Sequence, residues 1–298
     1  MAGFVPEGGL LWSQENREFI SSRQGIENAA AGGIVCEARA KMCDREKGLI
    51  FDLGGMRGVM PREEAALPFE GESVRDIALL TRVGKPCAFV AERIEEQNGE
   101  PTVFLSRKKA QEKCLAEYLD LLKTGDVLPA KVTHFEPFGA FCDIGCGVVS
   151  LLPIDQISVS RISHPSDRFR VGEEIFCAVR QRDEIRLGRR GRIALTHKEL
   201  LGTWEENAAL FEAGQTVVGV VRSVEPYGIF VELAPNLAGL AECKEGVKTG
   251  DAASVYIKSI LPEKRKIKLV LIDSFPAQPC QIPTRYFQTE GNISGFVY

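Results

Sequence analysis

A pattern that occurs twice at a fixed spacing constrains this chain more than any other feature of its sequence. Residues 125–141 and 214–230 share, in order and without a gap, a glycine, a valine, a hydrophobic residue, Glu-Pro, an aromatic residue, a glycine and a phenylalanine. Corresponding residues are 89 positions apart throughout, from Gly125 and Gly214 to Phe141 and Phe230. Chance is a poor explanation for so many matches, and an internal repeat predicts a series of similar structural units.

A weaker third copy lies upstream and begins near Gly33. Residues 48–54 (Gly-Leu-Ile-Phe-Asp-Leu-Gly) match residues 139–145 (Gly-Ala-Phe-Cys-Asp-Ile-Gly) at a spacing of 91. Length alone favours about two domains in 298 residues, because domains commonly contain roughly 150 residues. The repeat overrides that expectation and predicts three units of about 60–80 residues each.

Each unit has the sequence pattern of short β-strands. Small or apolar residues alternate with single outward positions in residues 140–144 and again in residues 229–233, which is the period of a strand with one buried face. Further strands are expected at 174–179 and 192–196 in the middle unit, and at 253–260 and 266–272 in the last. About five short strands per unit form a stable sheet only if it closes on itself, so a five-stranded barrel is predicted.

Between the units the periodicity becomes helical. Leu115, Tyr118, Leu119 and Leu122 are spaced as one face of a helix, and Thr203 followed by Glu206 has the pattern of a capping box; another helix is expected at roughly 13–26. The predicted organisation is an N-terminal helical segment (1–32), barrel 1 (33–108, degenerate), a linker helix (109–124), barrel 2 (125–198), a second linker helix (199–213), barrel 3 (214–273) and a tail (274–298). The tail is too aromatic for disorder, so we expect it to pack on a barrel or to contact a partner.

Composition excludes several classes of protein. Apolar residues make up 44% and charged residues 26% of the chain, which is typical of globular domains, and no apolar run approaches the roughly 18 residues of a membrane helix. The N-terminus lacks the pattern of a signal peptide, so the nine cysteines are expected to be reduced thiols of a cytoplasmic protein. A net charge of −4 argues against coating duplex DNA by bulk charge, so any nucleic-acid binding must use local patches.

Two phenylalanines occupy unexpected positions in this pattern. Phe141 and Phe230 fall on the outward phase of strands whose inward phase is already apolar, and Phe138 and Tyr227 precede them by three residues. Exposed ring pairs on a sheet face can stack unpaired bases, at about 1–3 kcal/mol per base. The alternative is structural, because one ring of each pair could instead cover a barrel end or pack on a neighbouring helix.

Basic residues lie near both ring pairs in the sequence. The middle unit has a basic segment within residues 180–198, and the last unit has one within residues 258–268. Together with the rings they are typical of single-strand binding, although the middle segment could also be a solvated loop. Barrel 1 departs from this pattern, since Lys47 and Ile50 replace the two rings and Phe51 is on the inward phase. We expect barrel 1 to stack bases poorly.

The motifs resemble those of the S1 RNA-binding domain family. The resemblance rests on the Phe-Gly-Ala-Phe motif at 138–141, the segment Arg-Ile-Ser-His-Pro-Ser at 161–166 before a Val-Gly-Glu-Glu-Ile strand start, and the ending Arg-Ile-Ala-Leu-Thr-His-Lys at 192–198. In tandem the units are similar to the bacterial ribosomal protein S1 family over about residues 33–273. The resemblance implies all-β architecture, with three tandem five-stranded oligonucleotide-binding (OB) barrels joined by short helices, RNA as ligand, and no catalysis.

The resemblance also assigns roles to residues. It implies that the ring pairs stack bases and that Arg192, with Lys266 in the matching position of barrel 3, contacts phosphate. The candidate RNA-binding residues are Phe138, Phe141, Arg192, Lys131, Arg189, Arg190, Tyr227, Phe230, Lys266 and Arg222. The family often has a histidine after a Gly-Leu pair, and here Pro61, Pro153 and Glu242 stand in those positions.

Three functional hypotheses follow, and they differ in class. The first is a factor of translation that binds single-stranded RNA such as messenger RNA, with the small ribosomal subunit as a possible partner and no membrane. The alternative is a protein-interaction scaffold whose barrels have largely lost RNA binding, which the acidic total charge and the replaced histidines favour. An enzyme is not expected, because no carboxylate cluster or catalytic motif is found. No cofactor or metal is expected either, and Cys142 and Cys146 are interpreted as buried thiols.

Overall fold

Alternating burial along each strand closes the chain into small barrels. The computed structural model describes residues 4–67, 76–97, 99–182, 192–276 and 282–293. Barrel 1 consists of β1 (Val35–Cys43), β2 (Leu49–Leu53), β3 (Met56–Met60), β4 (Pro86–Gln97) and β5 (Glu100–Ser106), with α3 (Asp76–Leu80) between β3 and β4. The strands close in the order β1-β2-β3-β5-β4, in which β3 and β5 are parallel and the other pairs are antiparallel.

Barrels 2 and 3 repeat this topology. Barrel 2 consists of β6 (Val127–Glu136), β7 (Gly139–Asp143), β8 (Val149–Pro153), β9 (Glu174–Arg182) and β10 (Ile193–Thr196). Barrel 3 consists of β11 (Thr216–Glu225), β12 (Gly228–Ala234), β13 (Leu237–Ala241), β14 (Ala252–Leu261) and β15 (Lys266–Phe275). In each, the third and fifth strands pair in parallel and the sheet is closed. The prediction of three tandem five-stranded OB barrels is confirmed.

The first strand of every barrel bends at an equivalent place. The pairing register shifts between Ala40 and Met42 in β1, between Val132 and His134 in β6, and between Val221 and Ser223 in β11. Such a bulge increases the local twist and bends the strand, which lets one long strand pair with two neighbours of a tightly closed barrel. The inward residues then form a separate apolar core within each barrel.

The helices differ in detail from the expected ones. Instead of one helix at roughly 13–26 there are two, α1 (Gln14–Ile20) and α2 (Arg23–Gly32). The chain breaks between them because Ser22 has extended backbone angles and its side chain accepts a hydrogen bond from the Gly25 N–H, which caps α2. The linker after barrel 1 contains α4 (Arg107–Glu117). The linker after barrel 2 contains the short α5 (Trp204–Ala208), which has the expected capping box of Thr203 and Glu206. No helix in the described ranges is long and apolar enough to cross a membrane.

Acidic residues at equivalent positions of barrels 2 and 3 lie in the junctions with the preceding barrel. Asp143 at the end of β7 accepts a hydrogen bond from the Glu7 N–H (2.7 Å), and Glu7 pairs with Arg107 of α4 (2.6 Å). Burial and the charge of Glu7 raise the pKa of Asp143 to about 6. In β12 the matching residue Glu232 is fully buried and pairs with Arg168 of barrel 2 (2.5 Å). Hydrogen-bonded polar groups therefore connect barrel 2 to the N-terminal segment and the linker helix, and barrel 3 to barrel 2.

Residues 282–293, within the tail, pack on barrel 2. The Tyr286 hydroxyl accepts a hydrogen bond from the Phe176 N–H (3.2 Å) and lies 3.0 Å from Nε2 of His197. The Nδ1 of His197 lies 2.7 Å from the Ile157 carbonyl oxygen, and burial lowers the pKa of His197 to about 4, so the neutral ring donates from Nδ1 and accepts from Tyr286. Farther along, Asn292 forms a β-bridge with Asp126 at the entrance to β6.

Replacing Tyr286 by phenylalanine is expected to destabilise barrel 2 by about 1–3 kcal/mol, because the Phe176 N–H and the His197 Nε2 would lose their partner. The measurement is the free energy of unfolding in urea. Tyr256→Phe is the matched control, since the Tyr256 side chain is 38% exposed and its hydroxyl has no hydrogen bond to the described residues. Equal stability of the two variants would contradict the importance of this contact.

Candidate nucleic-acid interface

The ring pair predicted for barrel 2 lies on its outer surface. Phe138, in the turn between β6 and β7, is 55% exposed, and Phe141 on β7 is half-buried. Their ring centroids are 6.1 Å apart at an interplanar angle of 81°, an edge-to-face arrangement that aromatic pairs favour. Ala140 and Cys142, on either side of Phe141, are fully buried in the barrel. Phe141 therefore belongs to the outward phase, as predicted.

The strand register places a cation on the same face as these rings. Phe141 pairs with Leu151 of β8, and Leu151 pairs with Ala194 of β10. Laterally paired residues share a face, and residues two apart along a strand also share it. Arg192, the residue immediately before β10, is exposed. Extending the alternation of β10 back by one residue places it on the face of Phe141, two strands away.

Barrel 3 has the same arrangement. Tyr227 is 69% exposed, and its ring centroid lies 6.2 Å from that of half-buried Phe230 at 86°. Phe230 pairs with Leu240 of β13, and Leu240 pairs with Lys268 of β15. Lys268 and Lys266 are both exposed on this face, so barrel 3 has a second lysine where barrel 2 has Ala194. We call each combination of two rings and its cations a stacking face.

A family comparison matches one of these two barrels. The S1 RNA binding domain family matches residues 121–197, which include all five strands of barrel 2 and its stacking face. The barrels on either side have the same strand order.

Curated relatives are bacterial ribosomal proteins. Small ribosomal subunit protein bS1 of Leuconostoc lactis is 31% identical over 271 residues, covering 85% of this chain and 60% of that protein. The bS1 of Mycolicibacterium smegmatis is 32% identical over 286 residues, covering 89% of this chain and 56% of that protein. This chain is similar to bS1 over most of its length, and its middle barrel matches the S1 family. A third bS1, of Staphylococcus haemolyticus, is 28% identical over 287 residues and covers 91% of this chain and 69% of that protein. The chain spans about three fifths of the length of the first relatives.

A third ring of the S1 domain in barrel 2 was missed by sequence reasoning. His134 of β6 pairs directly with Phe141 across the strands, and the two rings are stacked with centroids 4.5 Å apart and planes 5° from parallel. The His134 side chain is exposed. The only sequence signal is its place seven residues before Phe141, across a tight hairpin turn. In barrel 3 the matching residue is Ser223, which pairs with Phe230.

Two predicted cations of barrels 2 and 3 contact protein groups in the structure. The Nε of Arg222 donates to Glu232, and only 12% of the Arg222 side chain is exposed. The Nζ of Lys131 donates to the Glu7 carbonyl oxygen (3.1 Å) and lies 3.8 Å from Glu174. Arg222 thus lies in the junction of barrels 2 and 3, and Lys131 lies beside the N-terminal segment. The predicted Arg189 and Arg190 lie outside the described residues.

Barrel 1 has no ring pair at the positions that match those of barrels 2 and 3. Ile50 is only 9% exposed, and Phe51 is buried in the core of barrel 1. Lys47 has a positive φ of 66° and its Nζ lies 3.5 Å from Asp76. The outer face of β2 therefore lacks the two rings of barrels 2 and 3.

The cysteines of the middle S1 barrel are buried. Cys142 and Cys146 are 0% and 1% exposed, and the pKa of the Cys146 thiol is raised by its hydrogen bond with Cys114 and by burial. Across the described ranges, no group of three or more His, Cys, Asp and Glu side chains is arranged to hold a metal ion. These thiols therefore pack as small apolar groups.

Proposed function

We propose that barrels 2 and 3 bind single-stranded RNA through their stacking faces. One observation carries the proposal: two barrels of one chain present the same edge-to-face ring pair, at 6.1 and 6.2 Å, with a cation on the same face. Rings stack unpaired bases whatever their sequence, and cations beside them contact the phosphates. The family that matches barrel 2, the S1 RNA binding domain, supports the same ligand.

The wider role that we propose is that of a cytoplasmic, non-enzymatic translation factor that captures messenger RNA on the small ribosomal subunit. It is supported by the names of the relatives, which are proteins of that subunit. Barrel 1, which has no ring pair on β2, would then make protein contacts rather than base contacts. Cosedimentation of the chain with small subunits, with and without RNA, tests this part separately.

The second candidate is a scaffold that binds protein and has lost RNA binding. Two observations favour it: the net charge of −4, and Pro61, Pro153 and Glu242 where the S1 family often has histidine. Under this hypothesis the stacking faces are protein contacts, and RNA binds weakly or not at all at low salt.

Titration of a fluorescent oligouridine with the chain at several salt concentrations distinguishes the two. RNA binding predicts that log K falls linearly with log salt, with a slope of about −0.7 for each phosphate neutralised. The Arg192→Gln, Lys266→Gln double variant is expected to flatten the slope by roughly 1.4, because it removes one cation from each stacking face. Lys85→Gln, an exposed lysine of barrel 1, is the control. Absence of binding at low salt would support the scaffold and overturn the proposal.

A further inference from the structure

Barrel 2 and barrel 3 differ in the number of rings on their stacking faces. Both barrels have one ring in the turn and one on the second strand. Only barrel 2 also has a ring on its first strand, opposite the phenylalanine of the second strand. From this difference we infer that His134 is a base-stacking residue, so that barrel 2 holds one more nucleobase than barrel 3. The inference rests on the proposed function and adds a residue and a binding position to it.

The geometry of His134 is that of a stacked column. Its ring centroid lies 4.5 Å from that of Phe141, and the planes are 5° from parallel. One face of the imidazole therefore covers Phe141. Within the described ranges no other ring stacks on His134, and the side chain is exposed. A base placed on the outer face of His134 would continue the column, since every base has a π-face of comparable size.

Hydrogen bonds fix the orientation of the imidazole. The Thr133 hydroxyl donates to the Phe141 carbonyl oxygen (2.9 Å), and the same hydroxyl oxygen lies 3.2 Å from Nδ1 of His134. Because the hydroxyl proton is used by Phe141, Nδ1 must be the donor to Thr133 and carry the hydrogen. Within the described residues Nε2 has no partner. The ring is held in place, and its Nε2 edge is open to a hydrogen bond with a nucleotide.

The strand register explains why barrel 3 lacks this position. His134 and Ser223 both lie directly after the bulge of the first strand, and both pair with the phenylalanine of the second strand. The backbone is thus equivalent in the two barrels, and only the side chain differs. This makes barrel 3 an internal control for barrel 2.

The test measures each barrel separately in the full chain. In the Tyr227→Ala, Phe230→Ala background, only the stacking face of barrel 2 remains, and adding His134→Ala is expected to weaken oligouridine binding by about 5- to 150-fold. The shortest oligouridine that reaches full affinity should also become one nucleotide shorter. His134→Phe keeps a ring and should retain both affinity and length.

The reverse change tests gain of function. In the Phe138→Ala, Phe141→Ala background, Ser223→His is expected to strengthen binding by barrel 3 and to lengthen its oligouridine by one nucleotide. Unchanged affinity and length in both His134→Ala and Ser223→His, in a chain that binds RNA, would overturn the inference and leave the proposed function intact. Equal loss in His134→Phe and His134→Ala would assign His134 a structural role. No binding by the unsubstituted chain would overturn the proposed function itself, and this inference with it.

Discussion

Replacing Phe141 and Phe230 together by alanine is expected to reduce RNA affinity by at least about 30-fold. Each ring lies on the outer face of its barrel beside a second, more exposed ring, and stacking of a base contributes about 1–3 kcal/mol. Loss of both therefore removes about 2–6 kcal/mol of binding free energy. The measurement is fluorescence anisotropy with the same oligouridine, accompanied by circular dichroism to verify the fold.

Phe104→Ala is the matched control for this experiment. Phe104 is a half-buried phenylalanine of β5, in the barrel that lacks the ring pair, with the Arg93 guanidinium 4.0 Å from its ring centroid. It should leave RNA affinity unchanged. Normal binding by the double variant would show that the assignment of the stacking faces is wrong. Unfolding of the double variant, with Phe104→Ala folded, would show that the two rings are structural.

Glu232→Gln is expected to destabilise the chain by about 3–5 kcal/mol, the usual cost of breaking a buried ion pair from one side. Glu232 is fully buried and accepts from both Arg168 and Arg222. Within the described residues, the Arg168 Nε and Nη1 and the Arg222 Nη2 are buried without a hydrogen-bond partner. No nearby acceptor can therefore replace the lost carboxylate charge.

The loss of stability is measured by urea unfolding, with tryptophan fluorescence as the signal that reports on the region near the junction. Trp204 packs against the core of barrel 3, whereas Trp12 is 71% exposed. The control is Asp52→Asn at the equivalent position of barrel 1, where the carboxylate pairs with Lys41 at 2.5 Å but is 44% exposed. An exposed pair contributes about 0–1 kcal/mol. A loss from Glu232→Gln as small as that from Asp52→Asn would mean that water reaches the junction.

The architecture could be predicted from the sequence because its signals are local and repeated. The alternation in residues 229–233 corresponds to β12, and the constant spacing of 89 residues corresponds to two barrels with the same strand order. The outward rings followed from the same alternation. The prediction of one helix at roughly 13–26 was wrong in one respect. The chain breaks at two adjacent serines, and a new helix begins at Arg23 with Ser22 as its N-cap.

What could not be predicted depends on contacts between distant parts of the chain. His134 meets Phe141 only because a bulge shifts the register of β6, and a bulge has no clear sequence signal. Arg222 was a candidate RNA-binding residue, and Glu232 falls on the outward phase of the alternation in residues 229–233. Barrel 2 contributes Arg168, and its contact with barrel 3 buries both residues. An outward position on a strand is therefore not always exposed to solvent.

The route of the tail has a consequence for synthesis of the protein. Tyr286 completes the hydrogen bonding of Phe176 and His197 in barrel 2, yet about 90 residues that include all of barrel 3 are made after β10 and before Tyr286. Protein synthesis adds about 5–20 residues per second. Barrel 2 therefore lacks its contacts with Tyr286 for roughly 5–20 s after β10 has been made. In sequence, barrel 3 is therefore inserted between the strands of barrel 2 and the residue that completes their hydrogen bonds. Removal of the chain after barrel 3 by proteolysis would lower the stability of barrel 2.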